Sequence, residues 1–178
     1  MKQKISVLLL LIIAATLNIP SLAQAEKRTL MHDGLKRSYI IDKPKMAANG
    51  SKLPVIIMLH GGGGNGENGK RMSGFTEKAV PCGVIAVYPS GTSKFQRMKK
   101  IKTWNAEHCC GYAMEQDIDD VGFISVLIDG LVAHDSADQK RIYATGISNG
   151  ALLTNQLGAK LSRKIAAIAP VVGGMFGD

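Results

Sequence analysis

The 178-residue sequence is poor in aromatic side chains and contains no low-complexity segment or internal repeat. Aromatic residues make up 5% of the chain, charged residues 20% and apolar residues 46%. This composition excludes a disordered or collagen-like chain and is typical of one globular domain. Glycine is abundant instead, with 20 residues that cluster, and two of these clusters contain the candidate functional residues.

No apolar run reaches the roughly 20 residues that a membrane-spanning helix needs. The N-terminal run covers residues 5–17, follows Lys2 and Lys4, and precedes an A-x-A pattern at 23–25. These features predict a secretory signal peptide over residues 1–25 rather than a transmembrane anchor. We therefore expect a single domain over residues 26–178 that is extracellular or periplasmic and does not bind a membrane after signal cleavage.

Cysteine is scarce, and Cys82, Cys109 and Cys110 do not form the C-x-x-C spacing of a zinc or thioredoxin-type site. We expect neither a metal nor another cofactor. Export allows disulfides, and an odd count leaves one thiol unpaired or joined to another chain. Because adjacent cysteines do not bridge each other easily, the simplest expectation is one disulfide between Cys82 and either member of the pair.

The chain carries a formal net charge of +8, and five basic residues fall within 94–102. Such a stretch can contact nucleic acid, a membrane or an acidic polymer. Phe95 is its one aromatic residue, so stacking on nucleic-acid bases is poorly supported. We expect a solvated loop and no nucleic-acid partner.

Apolar runs of strand length alternate with helical patterns along the chain. The runs do not alternate with polar residues, which predicts strands buried on both faces of a parallel sheet; they cover 54–59, 83–88, 141–145 and 165–172. Apolar spacing predicts helices at 119–131 and 151–161, and Asp33-Gly34 predicts a hairpin between 28–31 and 35–41. The sequence therefore predicts an α/β fold with a mainly parallel sheet and flanking helices.

Gly146, Ser148 and Gly150 form a G-x-S-x-G pattern between a predicted strand and a predicted helix. In that context the serine occupies a strained strand-to-helix turn that lifts its hydroxyl above the sheet edge. The turn also places the Asn149 N–H and the helix N-terminus beside a developing oxyanion. We predict Ser148 as a catalytic nucleophile; the alternative is a glycine-rich turn with an incidental serine.

A run of glycines follows His60, directly after the first buried strand. The backbone N–H of Gly61 or Gly62 would complete an oxyanion hole with Asn149. His60 could serve as a base, but we expect it to shape the turn. The spacing at 64–70 also matches a nucleotide-binding P-loop, but Arg71 stands where Ser or Thr should hold magnesium.

Several of these motifs occur together in a fixed order. They are Leu59-His60-Gly61-Gly62, Trp104-Asn105 with Cys109-Cys110-Gly111, the run from Asp119 to Ile124, the run from Tyr143 to Ala151, and the run from Ala169 to Gly173. Over about residues 28–175 the chain resembles the secreted polyhydroxybutyrate depolymerase and feruloyl esterase family of α/β-hydrolases. The resemblance implies that Ser148 hydrolyses carboxylic esters of polymers or plant cell walls through an acyl-enzyme, and that the paired cysteines and Asp119-Asp120 are structural.

The remaining members of a catalytic triad are missing. Such hydrolases have Ser, then Asp or Glu, then His, but only Asp178 and no histidine follow Ser148. His134 is expected at the far end of its strand, and nothing fixes His108 near the site. A hydroxyl without an adjacent base is a poor nucleophile.

We therefore expect an α/β-hydrolase-like domain truncated after about the sixth strand, with its C-terminal part missing. The chain would be an inactive fragment of a serine esterase with an open apolar strand edge at 165–172. The alternative is a non-catalytic secreted binding protein on a hydrolase scaffold.

Overall fold

The computed structural model describes residues 23–45, 50–94 and 101–174. Its helices and strands, in chain order, are β1 (Ala23–His32), β2 (Leu35–Pro44), β3 (Leu53–Leu59), α1 (Gly66–Ser73), α2 (Phe75–Lys78), β4 (Ile85–Pro89), α3 (Gly111–Glu115), α4 (Asp120–His134), β5 (Ala137–Ile147), α5 (Asn149–Lys160) and β6 (Ala167–Val171). A short 3-10 helix at Val80–Cys82 precedes β4. Residues 1–22 of the predicted signal peptide and 95–100 of the basic stretch lie outside the described residues.

The strands form one mixed sheet in the order β1-β2-β4-β3-β5-β6. Strands β4, β3, β5 and β6 are parallel, whereas β2 pairs antiparallel with both β1 and β4. The predicted hairpin is confirmed: its turn residues Asp33 and Gly34 have φ values of 47° and 71°, as a two-residue turn between twisted strands requires. The predicted α/β fold with a mainly parallel sheet and flanking helices is thus confirmed.

Apolar side chains are buried on both faces of the central strands. Val55, Ile57 and Leu59 of β3 belong to the larger core, which also contains apolar side chains of α4 and α5. Met58 of β3 belongs instead to a smaller core with Tyr88 and other residues on the opposite face. Because alternate residues of a strand face opposite sides, this division confirms the prediction that β3 and β4 are buried on both faces.

Three predicted elements, β5, α5 and β6, differ from the observed ones. Strand β5 runs on to Ile147, and α5 begins two residues earlier than predicted, so a single residue, Ser148, separates them. Strand β6 is not buried on both faces: exposed and half-buried residues alternate along it. Ile168 packs against Gly158 of α5 on one face, whereas Ala167, Ala169 and Val171, which point to the other face, are exposed.

Within the described residues, no helix combines the length and apolar character that a membrane span requires.

Candidate active site

Ser148 occupies the sharp turn between β5 and α5, in an exposed position. Its φ of 54° and ψ of −121° lie in a region that L side chains rarely adopt, and such strain costs of order 1–3 kcal/mol unless the surroundings hold it. Here the Ser148 N–H donates to the Val171 carbonyl over 3.0 Å, and its carbonyl accepts from the N–H groups of Ala151 and Leu152 over 2.8 and 3.0 Å. These bonds hold the turn in its strained conformation.

The glycines on either side of Ser148 are required by close backbone packing. A Cβ atom on Gly150 would stand 2.5 Å from the carbonyl oxygens of both Leu59 and His60, and one on Gly146 would collide with the Gly150 carbonyl. Distances under 3.0 Å are not tolerated between such atoms, and rigid backbone cannot move away cheaply. The two glycines therefore allow the elbow at Ser148 to pack directly against the end of β3.

The loop after β3 lies against the elbow. A Cβ atom on Gly61 would be 3.6 Å from the Ser148 Cβ, and one on Gly62 would be 3.7 Å from the Asn149 Cβ. The structure therefore brings together all four residues that the sequence singled out, although they come from segments more than 80 residues apart.

Three backbone N–H groups at this junction are free to bind a ligand. Across the described ranges, the N–H groups of Gly61, Gly62 and Asn149 donate to no protein acceptor. Their neighbour Gly63, in contrast, donates to the Lys102 carbonyl over 2.9 Å. Unpaired N–H groups beside a nucleophile are what an oxyanion hole needs.

The Asn149 side chain is buried and binds the backbone of Trp104. Its Oδ1 accepts from the Trp104 N–H over 2.8 Å, and its Nδ2 donates to the Trp104 carbonyl over 3.0 Å. Nδ2 also lies 3.4 Å from the Cys109 carbonyl. The sequence predicted a role only for the backbone of Asn149, and this side-chain role was missed. The one signal for it was an amide side chain next to the predicted nucleophile.

His60 is fully buried, and both of its ring nitrogens are engaged. Gly91 donates its N–H to Nε2 over 3.0 Å, and Nδ1 donates to the Gly61 carbonyl over 2.7 Å. The Trp104 indole donates to the His60 carbonyl over 2.8 Å. Burial, reinforced by the positive charge of Lys102, lowers the pKa of His60 to about 4. A neutral imidazole with both nitrogens bonded shapes the turn, as expected, and is not placed to act as a base.

A buried ion pair between Asp120 and Arg37 holds the loop that contains Trp104. Asp120 accepts from the Asn105 N–H over 2.7 Å and binds Arg37 over 2.5 Å. The Arg37 guanidinium also lies 4.0 Å from the centre of the Phe123 ring. Asp119 caps α4 through the Gly122 N–H over 2.8 Å, so the two adjacent aspartates have separate structural roles.

No described histidine or carboxylate forms a hydrogen bond with the Ser148 side chain. His32 pairs with Asp119 over 2.9 Å, and His134 ends α4 just before β5 begins, at the opposite end of that strand from Ser148. His108 lies in the loop between Trp104 and α3. Nor does any group of three or more His, Cys, Asp or Glu among the described residues have the arrangement of a metal site.

The expected disulfide between Cys82 and one of the two adjacent cysteines is wrong. The structure pairs Cys109 with Cys110, whereas Cys82 is exposed and unpaired. The Cα atoms of the adjacent pair are 3.0 Å apart. Cys82 instead ends the 3-10 helix before β4, and its thiol lies 3.4 Å from the Lys78 carbonyl, so it belongs to a different part of the surface.

The chain is similar to known esterases in both sequence and structure. It is 29% identical over 134 residues to feruloyl esterase B of Piromyces equi, which covers 75% of this chain and 23% of that protein. It is 30% identical over 124 residues to feruloyl esterase B of Thermothelomyces thermophilus, which covers 70% of this chain and 40% of that protein. A solved thermostable esterase matches with a TM-score of 0.62 at 19% identity, over 85% of this chain and 41% of the other.

The chain thus spans less than half the length of each of these proteins. The α/β-hydrolase fold is confirmed by the structural match. The family model described as esterase PHB depolymerase matches residues 37–178, which is most of the sequence. This chain therefore belongs to the esterase PHB depolymerase family.

Proposed function

We propose that this chain carries the nucleophile and the oxyanion-binding groups of a carboxylic ester hydrolase, with Ser148 as the nucleophile. The observation that carries the proposal is the position of Ser148, which is exposed in a strained strand-to-helix turn with Gly61 packed beside it. The unpaired N–H groups of Gly61, Gly62 and Asn149 support it, because they lie at the same junction.

In the proposed reaction the Ser148 hydroxyl oxygen attacks the ester carbonyl carbon, and its proton passes to a general base. The carbonyl oxygen becomes an oxyanion, which the N–H groups of Asn149 and of Gly61 or Gly62 bind. The bond to the alcohol oxygen then breaks, the base protonates the alcohol, and an acyl ester of Ser148 remains. Water, deprotonated by the same base, releases the acid and restores the hydroxyl.

We further propose that the 178-residue chain by itself is nearly inactive. The general base and its orienting acid are not found next to Ser148 in the described residues, and the His60 ring is already bonded to Gly61 and Gly91. Removing triad members leaves about 10³- to 10⁴-fold catalysis from the oxyanion hole and binding alone. We therefore expect the chain to hydrolyse esters faster than water alone by about this factor, and no faster.

The proposed substrates are esters of polymers or of plant cell walls, such as hydroxyalkanoate, feruloyl or acetyl-xylan esters. The family description and the two feruloyl esterases support this class. A signal peptide over residues 1–25, and so secretion, remains part of the proposal because it rests on the N-terminal sequence pattern. We propose no nucleic-acid partner and no membrane contact after signal cleavage.

The test compares the full chain with its Ser148→Ala variant, matched by circular dichroism, in p-nitrophenyl acetate hydrolysis and in labelling by a fluorophosphonate. Imidazole is added in a second series to supply the missing base. We expect weak hydrolysis that depends on Ser148, and covalent labelling at Ser148 that imidazole accelerates. Labelling absent in both series from a folded chain would overturn the nucleophile role and favour the non-catalytic scaffold. Turnover at ordinary enzyme rates without imidazole would overturn the claim of near inactivity.

A further inference from the structure

The two halves of the proposed oxyanion hole lie on different loops. Asn149 belongs to the elbow after β5, whereas Gly61 and Gly62 belong to the loop after β3. Both N–H groups must lie about 2.7–3.1 Å from one oxygen position to stabilise the charge. The ladder between β3 and β5 ends at the pair Leu59 and Gly146. Beyond that pair no strand hydrogen bond joins the two loops, and their spacing depends on the packing of Gly150 against the end of β3 and on side-chain contacts.

Trp104 is hydrogen-bonded to both loops. Its backbone N–H and carbonyl form a two-bond pair with the Asn149 amide, at 2.8 and 3.0 Å. Its indole N–H donates to the His60 carbonyl over 2.8 Å, and the two rings lie with their centres 4.8 Å apart. Each of the three residues is 2% exposed or less, so water does not compete for these bonds.

His60 continues the connection to the glycine loop. Its Nδ1 donates to the Gly61 carbonyl over 2.7 Å, while Nε2 is occupied by the Gly91 N–H. A continuous series of buried contacts therefore runs from the Asn149 side chain through Trp104 and His60 to Gly61.

We propose that Trp104 sets the spacing between the two halves of the oxyanion hole, and that the side chains of Asn149 and His60 are positioning residues that act through it. This inference rests on the proposed function. An amide is needed at position 149 because it presents one acceptor and one donor to the N–H and carbonyl of a single residue. A carboxylate of the same shape would present two acceptors and repel the Trp104 carbonyl.

The single tryptophan of the chain makes the test direct, because the indole gives one N–H signal. In the full-length chain we expect this proton to exchange slowly with solvent. Asn149→Asp should speed its exchange by about tenfold or more, shift the amide signals of Gly61 and Gly62, and slow fluorophosphonate labelling of Ser148 by on the order of tenfold. Asn155→Asp is the matched control on α5; Asn155 binds the Gly174 carbonyl over 2.9 Å and should change none of these.

A second variant covers the case in which Asn149→Asp does not fold. Trp104→Phe removes the indole donor but keeps an aromatic ring, and should shift the amide signals of Gly61 and Asn149 together. Tyr88→Phe, which removes a hydrogen bond of a buried aromatic side chain to Thr76 in the smaller core on the opposite face of the sheet, should leave that pair of signals in place. Amide signals that shift only for residues next to Trp104, while those of Gly61 and Asn149 stay unchanged, would overturn the inference.

The failure of the inference and the failure of the proposed function give different results. If the indole N–H of the folded wild-type chain exchanges freely with solvent, the spacing role is overturned, whether or not the fluorophosphonate labels Ser148. A protected indole with coupled shifts at Gly61 and Gly62, but no labelling of Ser148, supports the spacing role and counts against the esterase proposal.

Discussion

Gly91 donates its backbone N–H to the Nε2 atom of His60 over 3.0 Å, so this buried imidazole nitrogen carries no proton. Protonation would break that bond and place a charge in an apolar core near Lys102 and Arg37. This arrangement explains why the pKa of His60 falls to about 4, with burial as the largest cause. It also makes His60 a source of pH-dependent stability.

Lowering the pH from 7 to 5 should destabilise the chain through His60. Because its pKa is about 6.5 when unfolded and about 4 when folded, the unfolded chain binds more protons in this window. The free energy of unfolding should therefore fall as the pH drops below 6.5 and level off near 4, by up to about 3 kcal/mol in total. Urea unfolding at several pH values measures this, and His60→Asn should flatten the slope between pH 7 and 5. An unchanged slope in that variant would contradict the assignment.

Gly150→Ala should disrupt the elbow. The added Cβ would meet the carbonyl oxygens of Leu59 and His60 at 2.5 Å, and neither backbone group can move without disturbing β3. We expect a loss of at least about 2 kcal/mol in the free energy of unfolding. Gly130→Ala is the control, since nothing lies within 4 Å of its Cβ position in α4, and there alanine should stabilise by about 0.5–1 kcal/mol. Equal effects at the two positions would refute the packing argument.

Asp120→Ala should destabilise the chain strongly. It leaves the Arg37 guanidinium, which is 2% exposed, without its charge partner. Breaking a buried pair from one side costs about 3–5 kcal/mol, whereas replacing both partners with apolar residues restores much of the loss. The double variant Arg37→Met with Asp120→Leu should therefore be more stable than Asp120→Ala in urea unfolding.

An exposed ion pair serves as the control for the buried pair of Arg37 and Asp120. Glu107 binds Lys160 over 2.6 Å at the surface, where solvent screens the attraction. Glu107→Gln should cause no measurable loss of stability. A comparable loss there would show that charge removal in general, rather than burial, explains the effect at Asp120.

One thiol should react in the native chain without reductant. Cys82 is exposed and unpaired, while Cys109 and Cys110 form a pair. Ellman's reagent should therefore detect one thiol per native chain, none in Cys82→Ser, and three after reduction and denaturation. Three reactive thiols in the native, unreduced chain would exclude the adjacent disulfide.

The local sequence was sufficient to predict the elements that depend on neighbouring residues. Asp33-Gly34 predicted the hairpin because a two-residue turn needs positive φ at both positions. Continuous apolar runs predicted β3 and β4, and the glycines around Ser148 predicted a strained turn before a helix. Each of these signals is read from a few consecutive residues, because backbone conformation and strand or helix periodicity act over that range.

Only the tertiary structure showed which of these segments meet. The Asn149 side chain is hydrogen-bonded to Trp104, which is 45 positions away in the sequence, and Arg37 pairs with Asp120, which is 83 positions away. No local sequence pattern encodes these pairings. The exposure of alternate residues of β6 likewise depends on which elements pack against it, and not on its own apolar sequence. Parallel strands are joined by long crossovers, so the assembly of the sheet decides which residues meet at their carboxyl ends. The turn that presents Ser148 depends instead on the residues beside it in the sequence.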